Sequence, residues 1–205
     1  MSALRRGVTG MLESLGTRRW GYPPRLMAPV VAQLGAVRAL CWFGWNMRRY
    51  EHTMAVFGPV RTHLLCVAIS VINDCEYCTY AYAGALELAY LHEHGRLFPL
   101  SEHAINALRG KPPAAIRHCL NKATRAAGLR ADTWWLNRTI TLVLAPDQRP
   151  TDPEDVRLCH LVKMFSKLNA IAIASGITPD EAPTPLNKNA ALRHRYALLR
   201  GNATT

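Results

Sequence analysis

Ile69-Ser70-Val71-Ile72-Asn73-Asp74-Cys75-Glu76-Tyr77-Cys78-Thr79-Tyr80-Ala81-Tyr82 is the stretch from which the rest of the chain is read: an apolar run, a short polar break, a cysteine pair and a second apolar run. The run before the break belongs to a helix predicted over 53–73, kinked or restarted at Gly58-Pro59. Asp74 is placed to cap a second helix from Cys75 to about His94, stopped by Gly95. Positions three and four apart share a helix face, so Cys75, Cys78, Tyr82, Leu86 and Ala89 form one stripe. With Asp74 as cap, Cys75 takes the first helical position and Cys78 the fourth. Unpaired backbone N–H groups and the positive end of the helix dipole then lie beside both sulfurs. That setting favours thiolate, the form that attacks peroxides and disulfides, and the spacing lets one sulfur resolve what the other has attacked.

Outward from this centre the helical signals continue. A first helix is expected over 3–15, ending at Gly16, with a turn at Gly21-Tyr22-Pro23-Pro24 and a long helix over 27–50. Ser101 caps a short helix to Leu108, and helices follow over 114–127 and 133–144. Asp152-Pro153-Glu154-Asp155 combines a capping carboxylate, proline at the first position and acids in the first turn, which predicts a helix to Ser175 before Gly176. Thr178-Pro179-Asp180-Glu181 repeats that start, but Pro183 and Pro185 cut it short; 190–199 forms a last helix before a fraying end. Only Thr139 to Leu144 is β-branched enough to compete as extended chain. The fold class is all-α: one domain over 1–205, with its core at about 27–176 and a less ordered, partly helical C-terminal extension at 177–205.

The chain has 205 residues, 49% apolar and 19% charged, enough apolar material for one sizeable core. Met27 to Trp45 and Met54 to Ile72 look membrane-like, but Arg38 interrupts the first and Arg61 and His63 the second. They read as buried helices, not as the uncharged run of ~20 residues that a bilayer needs. With no leader-like apolar run after Met1, the expected location is the cytoplasm. The net charge of +11 comes from cations spread along the whole length, which describes a solvated basic surface. No zinc-finger spacing or aromatic RNA-binding motif accompanies it, which argues against nucleic acid as a partner.

Six cysteines in a chain without an export signal argue against a structural disulfide framework. Only Cys75 and Cys78 are spaced for chemistry. Two readings compete with redox work. One is zinc, the second pair of ligands coming from His92 and His94, His118-Cys119 or Cys159-His160. The other is a pair of unreactive core cysteines. Thr79 after Cys78, where haem attachment needs His, excludes that use.

The segment Asn-Asp-Cys-x-Tyr-Cys, with the helices around it, resembles the alkylhydroperoxidase-D-like and carboxymuconolactone decarboxylase superfamily over about Val60 to Leu91. The resemblance implies an alkylhydroperoxidase-D-like helical bundle assembled as trimers or hexamers, with no bound cofactor or metal. It implies a peroxidase-type oxidoreductase in which Cys78 attacks a peroxide or disulfide, Cys75 resolves it, and a dithiol reductant protein resets the pair. The family's His, four residues after the second cysteine, falls at Tyr82 here, and its Glu, twelve before the first, falls at His63. His63 is then the candidate base, with Tyr82 as its hydrogen-bonding partner. The alternative is a non-redox member, decarboxylase-like or a small-ligand binder. Trp42, Trp45, Trp134 and Trp135 are candidates for a subunit contact or an apolar substrate pocket, or for ordinary core packing.

Overall fold

A computed structural model describes residues 2–202. It contains α1 (Ala3–Trp20), α2 (Met27–Leu34), α3 (Ala36–Phe57), α4 (Pro59–Ile72), α5 (Glu76–His94), α6 (Glu102–Asn106), α7 (Pro113–Ala126), α8 (Asp132–Leu144), α9 (Pro153–Ser175), a 3-10 turn (Pro185–Lys188) and α10 (Ala190–Asn202). No strand occurs among the described residues, so the all-α class holds. The last three residues of the expected fraying end lie outside them.

α4 is the axis of the molecule. Eleven of its fourteen residues are buried, as expected of a helix apolar on every side. Its one charged residue, Arg61, pairs with Asp132 of α8 at 2.5 Å and lies over the Trp135 ring. One core cluster, built by α1, α2, α3, α9 and one side of α4, contains Cys66, Cys75 and Cys78. A second, on the other side, joins α4 and α5 to α6, α7 and α8 through Leu64, Leu86, Tyr90, Phe98 and Leu120.

The 27–50 segment is broken at Gly35, whose φ of 80° is left-handed and costs glycine little; α2 and α3 meet there at 119°. α1 runs past Gly16 to Trp20. A side chain at Gly16 would place its Cβ 2.3 Å from the Pro24 ring, so this glycine permits the 21–24 turn to fold back on the helix instead of ending it. Thr139 to Leu144 is helical, because burying Leu136, Thr139 and Ile140 on one face outweighs β-propensity. The C-terminal part is built in: Tyr22 Oη donates to the Glu181 carbonyl, and Ala182 and Leu192 pack on Ala85, Leu88 and Leu91 of α5. Among the described residues no single helix is long and apolar enough to cross a membrane.

Candidate functional site

The break between α4 and α5 is three residues long and closes both helices at once. Asn73 N–H donates to the Ile69 carbonyl and Cys75 N–H to the Ser70 carbonyl, the bonding of a helix-terminating motif. The left-handed position of that motif falls on Asp74, at φ 55°, where glycine or asparagine is usual. Asp74 is therefore spent on ending α4 and does not cap α5. Cys75 does: its extended backbone starts the helix and its Sγ accepts the Cys78 N–H at 3.4 Å. The expected placement of Cys75 at the first helical position is corrected by one residue; the proximity of the two sulfurs to the helix start remains.

This capping makes the pair unequal. The hydrogen bond from the Cys78 thiol holds the Cys75 thiol below its ordinary range, and the Cys78 N–H and the Arg109 charge add to that, against burial and the Asp74 charge. Cys78 is pushed the other way, first as hydrogen-bond partner of Cys75, then by burial and by the Cys75 charge. Of the two, Cys75 is the one poised to lose its proton. Arg109 follows α6 and spans the two acids that flank Cys75: its Nε lies 3.0 Å from Asp74 and a terminal nitrogen 3.4 Å from Glu76. Asp74 and Glu76 are exposed, so this guanidinium bridges two surface acids beside the buried Cys75, and its charge reaches the thiol.

Both cysteines are 1% exposed. Cys78 opens inward, onto a cavity of about 40 Å3 that it shares with Tyr77, Ala81 and Tyr82 of α5. Trp20, Met27, Phe43 and Met47 close the cavity on the α1–α3 side, and Pro183 of the C-terminal segment closes it on another. That volume holds water-sized molecules and nothing much larger. Tyr77 Oη donates to Asp180 at 2.6 Å, and Asp180 also accepts from the Arg25 N–H, so the 178–183 segment is tied across this chamber.

The structure brings Tyr82 to Cys78 and leaves His63 behind it. The Tyr82 ring packs 6.2 Å from His63 and edge-on to Phe165 at 4.7 Å, and its hydroxyl is pushed well above its ordinary range by burial. His63 is fully buried, lines no part of the chamber, and neither ring nitrogen has a hydrogen-bond partner. The expected hydrogen bond between Tyr82 and His63 is therefore not formed. Burial lowers the His63 pKa to about 4, so the ring is neutral at pH 7. Among the described residues no group of three or more His, Cys, Asp or Glu side chains gathers as metal ligands, so the second pair a zinc site needs is not assembled from His92, His94, His118, Cys119, Cys159 or His160.

Three participants had no signal in the sequence. Arg109 is one basic residue among 25 Lys and Arg, and only the tertiary course of the chain after α6 brings it to the acids on either side of Cys75. Pro183 arrives from a segment read as an extension. Cys66 of α4, fully buried, adds a third thiol to the same cluster; burial pushes it well up, which keeps it protonated. No family model, no curated protein and no solved structure matches the chain.

Proposed function

We propose that the chain is a thiol-dependent peroxidase or disulfide oxidoreductase working through Cys75 and Cys78. One observation carries this reading: two sulfurs share a hydrogen-bonded helix start that lowers one thiol pKa and raises the other. An asymmetric pair of this kind supplies a nucleophile and a resolving thiol. The asymmetry favours Cys75 as attacking thiolate and Cys78 as resolving thiol, the reverse of the allocation implied by the resemblance.

The Cys75 thiolate attacks the distal peroxide oxygen; the O–O bond breaks, and the alkoxide or hydroxide takes a proton and leaves. Cys75 is now a sulfenic acid. The Cys78 thiol attacks its sulfur, the S–O bond breaks, water leaves, and a Cys75–Cys78 disulfide remains. An external dithiol protein returns two electrons and two protons by exchange. Over the cycle one peroxide becomes one alcohol and one water, and the dithiol becomes a disulfide. His63 is at most a distant acceptor in this scheme, since no hydrogen bond links it to a thiol. A reducing compartment such as the cytoplasm suits a pair that must be reset. Trp45 and Trp134, both well exposed, support assembly with further copies.

The test is peroxide consumption with a dithiol donor, with the disulfide mapped by mass spectrometry after one equivalent of peroxide. A Cys75–Cys78 linkage is expected, and Cys75→Ser should lower the rate about 100-fold or more. Activity that survives in Cys75→Ser but not in Cys78→Ser reverses the allocation. Activity that survives in both ends the redox reading. A non-redox ligand-binding role is favoured by one feature, the near-complete burial of both sulfurs; it predicts an ordinary thiol pKa for Cys75 and no disulfide under mild peroxide.

A further inference from the structure

An apolar recess of about 500 Å3 opens between α1 and α3. Met11, Leu12 and Leu15 of α1 face Leu40, Phe43 and Met47 of α3 across it. Met11 and Leu15 are 45% and 54% exposed, so the recess leaves apolar surface in water. Its size lies within the ~300–1,000 Å3 of small-ligand sites. Its inner end is made by Trp20, Met27, Phe43 and Met47, the same four side chains that close the Cys78 chamber. The methionines among them are unbranched and adapt easily to a ligand's shape.

The rim is cationic. Arg18 and Arg19, in the last turn of α1, border the recess. Arg19 pairs with Glu51, whereas Arg18 is exposed with no acidic partner among the described residues. The C-terminal end of a helix repels anions, so a negative group here depends for its attraction on side-chain cations: the Arg18 guanidinium on the rim, and behind it the Lys188 ammonium, which donates to the Arg18 carbonyl.

We propose that this cleft binds a straight-chain monocarboxylate, its alkyl chain along the α1–α3 walls and its head group at Arg18. The lining asks for an alkyl chain, because apart from the arginines and the Trp20 indole N–H at its inner end it presents no charged or hydrogen-bonding side chain to a polar body. The charge asks for an anion, because the one unpaired ionic group at the mouth is positive. The proposal does not depend on the redox reading, since neither cysteine lines the cleft.

Calorimetric titration of the full chain with octanoate, decanoate and dodecanoate, each below its micellar concentration, tests it. Affinity should rise about fourfold per added methylene, the value of burying one CH2. Decanoate should bind at least about tenfold more tightly than decanol, as a charge-assisted contact requires. Arg18→Gln should abolish that ratio while keeping the chain-length series. Leu15→Asp, at an exposed position, should abolish binding with the helical circular dichroism intact. The double variant Cys75→Ser/Cys78→Ser should bind as the parent does, which separates failure of this proposal from failure of the peroxidase reading. No saturable binding of dodecanoate by the parent, equal affinity for decanoate and decanol, or binding to phosphatidylglycerol vesicles alone would each overturn it.

Discussion

The two halves of α5 bury polar groups in opposite ways. In the C-terminal half, Glu87 is fully buried and satisfied on every side. Tyr196 donates to one of its oxygens, Arg200 donates to both, and Arg200 also reaches the Phe98 and Leu100 carbonyls. Tyr90 Oη nearby donates to the Ala127 carbonyl at 2.6 Å. In the N-terminal half Tyr77 donates to Asp180, but the polar groups around the sulfurs are left short. Thr79 Oγ1 has no partner, His63 across from Tyr82 has none on either nitrogen, and the two thiols have chiefly each other. A satisfied network fixes a helix in place; an unsatisfied one is stored potential for binding or proton transfer. Glu87, Tyr90, Thr79 and His63 are all fully buried, so burial is no guide to function here. Satisfaction is.

The comparison can be broken from either side. The largest effect is expected at the satisfied end: Arg200→Ala leaves a carboxylate in the core without its cation, and chemical denaturation should report a loss of about 3 kcal/mol or more. Burial already raises the Glu87 pKa despite these hydrogen bonds, so acidification, which protonates the carboxyl, should shrink that loss. Thiol reactivity at Cys75 should not change. If it does, the two halves are coupled and the contrast fails.

At the unsatisfied end, His63 makes stability depend on pH. Its folded pKa of about 4 lies below the unfolded value of about 6.5, so the unfolded chain binds more protons between them, and stability falls as pH drops through that window. The loss from pH 7 to pH 5 is about 2 kcal/mol for this residue. His160, also near 4 through burial, contributes in the same direction. His63→Leu should remove the His63 share of the slope in denaturation curves taken at the two pH values. It should also stabilise the chain at pH 5. Unchanged slopes would mean that water reaches His63.

Smaller effects belong to the junction. Asp74→Gly relieves a left-handed backbone at the expense of the Arg109 contact, for a net gain of at most about 1 kcal/mol. Arg109→Ala removes a cation that lowers the Cys75 pKa, so the pH midpoint of alkylation at Cys75 should move up. An unmoved midpoint would mean that the Arg109 charge does not reach the Cys75 sulfur.

Helix starts and stops carried by one side chain were legible in the sequence. Ser101 and Asp152 cap as expected, Gly95 and Gly176 terminate as expected, and Gly58-Pro59 restarts the chain. The failures share one cause: a residue whose local preference is overruled by something distant. Gly16 reads as a stop until Pro24 lies against it. The helix expected over 133–144 forms, and the extended alternative at Thr139 to Leu144 loses once α8 has a core to face. Asp74 reads as a cap, but α4 needs it first. The same limit applies to the site: Cys75 and Cys78 were legible because they lie three positions apart in sequence, whereas Arg109 and Pro183 arrive through tertiary packing.

Cys75 has two occupations, since the sulfur that would take part in electron exchange also anchors the first turn of α5. A disulfide to Cys78 takes away the ionisable thiol whose lowered pKa makes this sulfur the better acceptor of the two, so oxidation should loosen the Cys78 amide at the moment it joins the side chains. Backbone deuterium uptake at that single position would then record the oxidation state of the protein with no reagent attached to either sulfur. Equal uptake in the oxidised and reduced protein would show that the anchor does not feel the bond.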